Sequence, residues 1–222
     1  DVSAMLVETI ILRREDGAGI TMAPCRLLEE GGRAHFMTKR FDREGNVKHH
    51  TQTLNALAHL SYRFKSTHAY EQFFMAIRGP LGLGDSASME AFRRMAFNVA
   101  IRNHDDHTKN IAFLLPQGGG WQLAPAYDVS QAYNPTGRWT DCHFLSVNGK
   151  FAAITSDDLL AVARRFAIPD AAAILKQVDD AIRAWPEFAR EAGLPDAVAS
   201  ALGANHIELA PLPLPTGTRR RR

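Results

Sequence analysis

The sequence predicts an α+β fold, in which a small β-containing N-terminal part precedes a mostly helical C-terminal part with one inserted β-hairpin. Short apolar runs on either side of two adjacent glycines predict the N-terminal strands. Apolar side chains recur at helical spacing over 51–103 and again after residue 156. Between these helical regions, apolar runs at 111–115 and 121–123 flank three glycines, which predicts the inserted hairpin.

The composition is that of a globular chain with its own hydrophobic core. The 222 residues are 45% hydrophobic, and 12 of them are Phe, which argues against a disordered chain. No apolar run is long enough to cross a bilayer, so no membrane association is expected. Two cysteines, Cys25 and Cys142, are too few for a disulfide scaffold and suit a reducing compartment. A cytoplasmic location is therefore expected.

The formal net charge of +2 originates at the end of the chain. Residues 219–222 are all arginine, and without them 22 basic residues face 24 acidic ones, a net charge of −2. The body of the protein is therefore not expected to bind DNA directly. Residues 206–222 are predicted to form a disordered tail.

The N-terminal elements follow from glycines and short apolar runs. A helix is predicted over 5–12, and glycines at 17 and 19 end it. Runs at 25–29 and 34–39 predict a hairpin that turns at glycines 31 and 32. Residues 42–50 are polar and are predicted to form a loop.

The C-terminal elements are mainly helical. A short strand is predicted over 143–147, and Ser156, followed by two aspartates, predicts a helix start. Glu90 follows Ser88 at another predicted start, where the helix dipole favours an acid. The predicted helices cover 51–61, 69–77, 88–103, 157–166, 171–184 and 195–202.

A polar cluster at 103–110 lies between a long amphipathic helix and a strand, where functional residues are common. It contains Asp105 and Asn110, five residues apart, and Asp128 follows eighteen residues after Asn110. Asp128 comes directly after the second strand of the inserted hairpin. Because a hairpin brings its two ends together, we expect Asn110 and Asp128 to be neighbours.

This pattern suits phosphoryl transfer from a nucleotide. A carboxamide and a carboxylate are hard oxygen ligands for Mg²⁺ on nucleotide phosphates, and Asn110 and Asp128 supply them. A separate carboxylate, Asp105, can orient an acceptor hydroxyl and take its proton. Asp105 and Asn110 have the spacing of the Asp and Asn in the protein-kinase catalytic loop. A nucleotide with Mg²⁺ is thus expected at this site.

Other interpretations of the cluster remain open. His104 and His107 could bind a transition metal, although no third His or Cys lies nearby in the sequence. His104 could instead be a buried, hydrogen-bonded loop residue. The whole cluster could also be a solvated turn.

Four segments in order resemble the C-terminal kinase domain of the HipA family of bacterial toxin kinases. Residues 104–113 read HDDHTKNIAF and residues 123–129 read LAPAYDV. Residues 36–43, FMTKRFDR, resemble the family's hinge, and residues 144–150, FLSVNGK, resemble the strand and turn after its metal-binding Asp. The resemblance covers about residues 7–195.

The resemblance implies a protein-kinase-like fold with a partial N-lobe and hinge over 1–50 and a helical C-lobe over 51–205. It implies Mg-ATP-dependent phosphorylation of Ser or Thr on a bacterial protein, such as a translation factor, by a kinase held by a DNA-binding antitoxin. The residues that it assigns to the site are Asp105 as general base, His107 on the nucleotide phosphates, Asn110 and Asp128 as Mg²⁺ ligands, Lys39 and Phe41 in the hinge, and Asp42 near the ribose.

The resemblance is incomplete at the N-terminal end. The family's phosphate-covering loop and its nucleotide-binding lysine have no counterpart before residue 17, although Glu8 resembles the helix Glu near that lysine. An incomplete N-lobe is therefore expected, with weak activity of the chain alone. Two rival functions follow: a small-molecule kinase of similar fold, and a catalytically dead module that docks an antitoxin.

Overall fold

The computed structural model describes residues 17–209. The predicted helix over 5–12, Glu8 and the four C-terminal arginines lie outside the described residues. Within them the fold is mixed α/β, with four small sheets and a helical body.

The predicted N-terminal hairpin is confirmed. Strand β1, Cys25–Glu30, pairs antiparallel with β2, Arg33–Thr38. Gly31 and Gly32 form the turn with φ angles of +55° and +75°, which explains why two glycines stand there.

The segment predicted as a loop over 42–50 contains a second, smaller hairpin. Strands β3, Arg43–Glu44, and β4, Val47–Lys48, pair antiparallel around Gly45. Gly45 has a φ of +56°, so the glycine that indicated a loop makes a tight turn.

A three-stranded antiparallel sheet carries the inserted hairpin. Strands β7, Ala112–Leu115, and β8, Gln122–Leu123, pair as predicted, and β5, His50–Thr53, adds to the other edge of β7. The predicted helix over 51–61 is confirmed only over 54–57, because Thr51–Thr53 pair with β7 instead and residues 58–61 are not helical. Helix α1, Leu54–Leu57, begins only after Thr53, whose hydroxyl accepts a hydrogen bond from the Ala56 N–H.

Two very short strands form the last sheet. Strand β6, His68–Ala69, pairs parallel with β9, Leu145–Ser146, which is shorter than the strand predicted over 143–147. This pairing holds the segment after Asp128 against the start of the next helix.

Six longer helices form the body of the protein. The helix predicted from Ser88 begins four residues earlier, and the Ser88 hydroxyl donates to the Gly84 carbonyl from inside it. The helix over Trp185–Glu191 was not predicted, and Pro186 near its start separates it from the helix over Ala171–Arg183. The helices are α2, Tyr70–Arg78; α3, Gly84–Ala100; α4, Ser156–Arg165; α5, Ala171–Arg183; α6, Trp185–Glu191; and α7, Asp196–Gly203.

The hydrophobic core surrounds α3, which packs against α2 and α5. Its largest fully buried side chains are aromatic and come from α2, α3 and β7: Tyr70, Phe73, Phe74, Phe92, Phe97 and Phe113. The loop that follows α3 therefore starts from a rigid support. No helix within residues 17–209 is long and apolar enough to span a bilayer.

The last described residues lie against this core. The Ile207 N–H donates to the Ala100 carbonyl at 2.7 Å, and the Leu209 N–H donates to Asp179 Oδ1 at 2.6 Å. Leu209 is fully buried. Residues 206–209 thus belong to the folded body rather than to a disordered tail, and β5 crosses the predicted boundary between residues 50 and 51.

Candidate active site

The polar cluster forms a tight loop between α3 and β7, in which two hydrogen bonds share one carbonyl as their acceptor. The Asp105 carbonyl accepts hydrogen bonds from the His107 N–H at 2.8 Å and from Asn110 Nδ2 at 3.0 Å. The Asn110 N–H donates to the His107 carbonyl at 2.9 Å. These bonds fix Asn110 relative to Asp105, while the Asp105 side chain faces solvent.

The neighbouring carboxylate, Asp106, points into the protein. It accepts hydrogen bonds from the Tyr70 hydroxyl at 2.9 Å, from His143 Nδ1 at 2.9 Å and from the Phe144 N–H at 2.8 Å. Asp106 thereby ties the loop to α2 and to the segment before β9. Sequence reasoning missed this role, because two adjacent aspartates carry no signal that tells the buried one from the exposed one.

The Asp106 network extends into α3. Asn98 donates to the Tyr70 hydroxyl at 2.9 Å, and Asn103 donates to Asn98 at 3.1 Å. Burial, and next the charge of Asp106, raise the pKa of Tyr70 well above its usual range. Tyr70 is therefore a neutral donor at the centre of a buried polar network.

His104 is a buried structural residue. Its Nδ1 lies 2.9 Å from the Thr140 carbonyl, and its ring centroid is 4.3 Å from that of His143. Burial, and next the neighbouring His143, lower the pKa of His104 to about 4. Within residues 17–209 no three His, Cys, Asp or Glu side chains could together hold a metal ion, so the transition-metal interpretation gains no support there.

Tyr127, the residue before Asp128, connects this segment to the loop. The Tyr127 hydroxyl donates to the Lys109 carbonyl at 2.5 Å, which joins the residues immediately before Asp128 and Asn110. The Asp105 residue is exposed, but partial desolvation of its carboxyl group raises its pKa, and the negative charge of Asp128 also raises it. Asp128 has a φ of +54°, a strained conformation for a non-glycine residue.

His107 packs against two aromatic rings of neighbouring segments. Its ring makes edge contacts with Tyr62 and Phe144, at centroid distances of 5.6 Å and 5.7 Å. Its Nδ1 is buried and has no hydrogen-bond partner among the described residues.

The predicted hinge residues differ in their surroundings. Lys39 is exposed, and its N–H already donates to the Pro24 carbonyl at 2.8 Å. The Phe41 ring lies 5.8 Å from that of Tyr127 and packs with Ala112, Leu114 and Ala124. Phe41 therefore connects the hinge to the segment that carries Asp128.

Asp42 is engaged by its neighbours. Arg40 donates to both carboxylate oxygens, at 2.8 Å and 2.6 Å, and Arg43 lies 3.3 Å away. The hydrogen bonds from Arg40 lower the pKa of Asp42. A contact between Asp42 and a ribose would have to compete with this ion pair.

An open cleft of about 560 Å³ lies beside the hinge. Phe41, Leu114 and Pro125 supply apolar walls, while Lys39 and Arg43 supply cations. Its volume is in the range of small-molecule sites. A larger cavity, of about 680 Å³, lies between α5, α6 and α7 and contains none of the predicted site residues.

Comparisons with known proteins identify the family and a similar fold. The model of the HipA-like C-terminal domain family matches residues 2–185. No curated protein matches the chain. A chain of the solved complex of HipA, HipB and operator DNA, from a toxin–antitoxin system of Shewanella oneidensis MR-1, is similar with a TM-score of 0.70 at 16% identity. The match covers 92% of this chain and 54% of that one, so this chain spans about half the length of its structural relative. The protein belongs to the family of HipA-like C-terminal domains.

Proposed function

We propose that the protein is the catalytic part of a kinase that transfers phosphate from Mg-ATP to a Ser or Thr hydroxyl of a bacterial protein, within a toxin–antitoxin module. The observation that carries the proposal is the hydrogen bond from the Tyr127 hydroxyl to the Lys109 carbonyl, which joins the residues immediately before Asp128 and Asn110 at the open end of one hairpin. Asn110 is bonded in turn to the Asp105 carbonyl, and the charge of Asp128 contributes to the raised pKa of Asp105.

The donor atoms suit Mg²⁺ better than a transition metal. Asn110 uses its amide nitrogen on the Asp105 carbonyl, which leaves its amide oxygen as the atom to offer to a ligand. Together with a carboxylate oxygen of Asp128, this is a hard, all-oxygen pair. When bound, Mg²⁺ would neutralise charge on the nucleotide phosphates. Asn110 and Asp128 are the residues that would hold it.

Asp105 suits the role of base. Its side chain reaches solvent, while burial and the charge of Asp128 raise its pKa, which makes it a better proton acceptor than a free aspartate. As the acceptor hydroxyl oxygen bonds to the γ-phosphorus, the bond from that phosphorus to the bridging oxygen of ADP breaks. The hydroxyl proton passes to the Asp105 carboxylate.

The nucleotide would lie across the hinge cleft. Phe41 offers an apolar ring in this cleft, and His107 belongs to the same hydrogen-bonded loop as Asp105 and Asn110. Since the Lys39 N–H is already used, hinge contact with adenine would involve other backbone groups of the segment. The HipA–HipB complex of the structural relative supports an antitoxin as partner.

Two measurements on the whole chain test this function. Calorimetry with ATP, with and without Mg²⁺, should show binding that depends on the metal. Labelled ATP should then transfer phosphate to Ser or Thr of a bacterial protein extract, and the Asp105→Asn variant should not. Labelling of small molecules alone would favour the small-molecule kinase, and Mg-ATP binding without any transfer would favour a docking module.

A further inference from the structure

Two large aromatic side chains are exposed on adjoining loops beside the candidate site. Phe64 is 62% exposed and Trp139 is 53% exposed. Phe64 follows α1, and Trp139 lies in the segment between Asp128 and β9. Exposed patches of large apolar side chains often mark interaction sites.

The two loops are fastened together, so the aromatic residues keep fixed positions. Lys65 donates to the Arg138 carbonyl at 3.4 Å and forms an ion pair with Asp141. Ser66 and Cys142 are also in contact, with Oγ and Sγ 3.8 Å apart. The Lys65 side chain is only 14% exposed, which is low for a lysine, because it packs between the two loops that it connects.

The inner edge of this surface is the catalytic loop itself. The Thr108 hydroxyl donates to the Leu60 carbonyl at 2.7 Å, and the Tyr62 ring contacts that of His107. Lys109 Nζ lies 3.9 Å from the centre of the Tyr62 ring. The loop that carries Phe64 therefore adjoins the loop that carries Asp105.

The charges around the aromatic residues are positive. Arg63, Lys109 and Arg138 are exposed, and within residues 17–209 no carboxylate forms an ion pair with any of them. The nearby Asp141 is neutralised by Lys65. Hydrogen bonding from Arg63, and next from Lys109, lowers the pKa of Tyr62, in keeping with the position of Lys109 over the Tyr62 ring.

We propose that Arg63, Phe64, Lys109, Arg138 and Trp139 form a docking surface for an acidic stretch of the protein substrate that carries an aromatic or aliphatic side chain near the phosphoacceptor. This inference rests on the proposed function and gives its substrate a chemical class. Exposed arginines beside a Trp are typical anchors of protein interfaces. Three cations are too few to follow a nucleic-acid backbone with the affinity of a dedicated binder.

Peptide binding tests the docking surface without requiring catalysis. Two fluorescent peptides, each with one Ser and one Phe, carry either Glu or Lys at the flanking positions. At low ionic strength the whole chain should bind the Glu peptide at least about 10-fold more tightly than the Lys peptide. The Arg63→Glu/Arg138→Glu variant should lose this preference, and Phe64→Ser/Trp139→Ser should weaken binding of both peptides. Arg164→Glu, at an exposed position of α4, is the matched control and should keep the preference.

The remaining arms separate this proposal from the proposed function. Calorimetry should show the same Mg-ATP affinity in both double variants and in the unaltered chain, which also shows that they fold. Equal affinity for the two peptides would overturn the docking surface. Tighter binding of a single-stranded DNA oligonucleotide that displaces the Glu peptide would overturn it in favour of a nucleic-acid site. If the Glu peptide binds as expected but is never phosphorylated, the proposed function fails and the docking surface stands.

Discussion

Nδ1 of His143 lies 2.9 Å from Oδ2 of Asp106, and only 3% and 1% of the two side chains are exposed. This contact joins the loop that carries Asp105 to the segment that follows Asp128. It is a buried pair, whereas Asp105 and Asp128 are exposed. Of the two adjacent aspartates, Asp106 therefore fixes the loop, and Asp105 remains accessible to solvent.

Asp106→Ala should strongly destabilise the fold. The change leaves the Tyr70 hydroxyl, His143 Nδ1 and the Phe144 N–H without their acceptor, and breaking such a buried network costs about 3–5 kcal/mol. Urea denaturation measures the loss in free energy of unfolding. Asp157→Ala removes an exposed aspartate and should cost less than about 1 kcal/mol. Equal stability of the two variants would show that Asp106 is not structural.

Asp105→Asn should lower the rate of phosphate transfer and leave the stability of the fold unchanged. The carboxylate is exposed and is repelled by the charge of Asp128, so its loss should not lower the free energy of unfolding. Removing a general base should reduce phosphate transfer on the order of 10²–10⁴-fold while nucleotide affinity persists. Single-turnover labelling and calorimetry measure the two quantities. Near-normal transfer by the folded variant would rule out Asp105 as the base.

Local sequence pattern predicted the elements that depend on neighbours along the chain. The two glycine turns and the apolar periodicity of α2 and α3 are local signals, and these elements occur nearly where they were expected. The helical spacing of leucines after Thr51 was misleading, because it does not reveal that Thr51–Thr53 have a distant strand to pair with. The pairing of β5 with β7 depends on residues far apart in the sequence, so the hydrophobic periodicity within one segment does not reveal it.

The candidate site was predictable to a similar degree. The spacing of Asp105 and Asn110 and the hairpin that returns the chain to Asp128 are visible in the sequence. The burial of Asp106 depends on Tyr70 and His143, which lie 36 and 37 residues away along the chain. In the hinge, the residue type of Lys39 could not reveal that its backbone N–H donates a hydrogen bond to the Pro24 carbonyl.

Phe41→Ala should weaken nucleotide binding. The ring forms an apolar wall of the hinge cleft and contacts Tyr127, and loss of such an aromatic contact corresponds to roughly 5- to 10-fold in affinity. Phe41→Leu should retain most of the affinity because it keeps an apolar wall. Met75→Ala, at an exposed position of α2, is the control for surface truncation. If calorimetry gives one affinity for all four proteins, the nucleotide does not lie against Phe41.

The pH dependence of stability should reveal Asp158. Burial alone would raise its pKa, but hydrogen bonds from Lys150, Thr155 and Asn148 outweigh burial and hold the pKa well below its usual range. A depressed pKa stabilises the folded state above the unfolded-state pKa, near 4, and this contribution disappears as the pH falls further. Asp158→Asn should therefore lose roughly 1–3 kcal/mol at neutral pH. The gap to the unaltered chain should narrow in acid denaturation, and a gap independent of pH would contradict the assignment.

Asp128→Asn should abolish the Mg²⁺ dependence of nucleotide binding without unfolding the protein. Asp128 has a φ of +54°, and Asn is among the few residues that tolerate this left-handed conformation, so the substitution adds little strain. It removes the carboxylate that we propose as an Mg²⁺ ligand beside the Asn110 amide oxygen, and affinity for Mg-ATP should fall by more than about 10-fold. Affinity for ATP in EDTA should not fall, because the cleft and Phe41 are untouched. Asp85→Asn, which removes an exposed carboxylate paired with Arg78, should change neither affinity. If the folded Asp128→Asn variant binds Mg-ATP as tightly as the unaltered chain does, the metal ligands lie elsewhere.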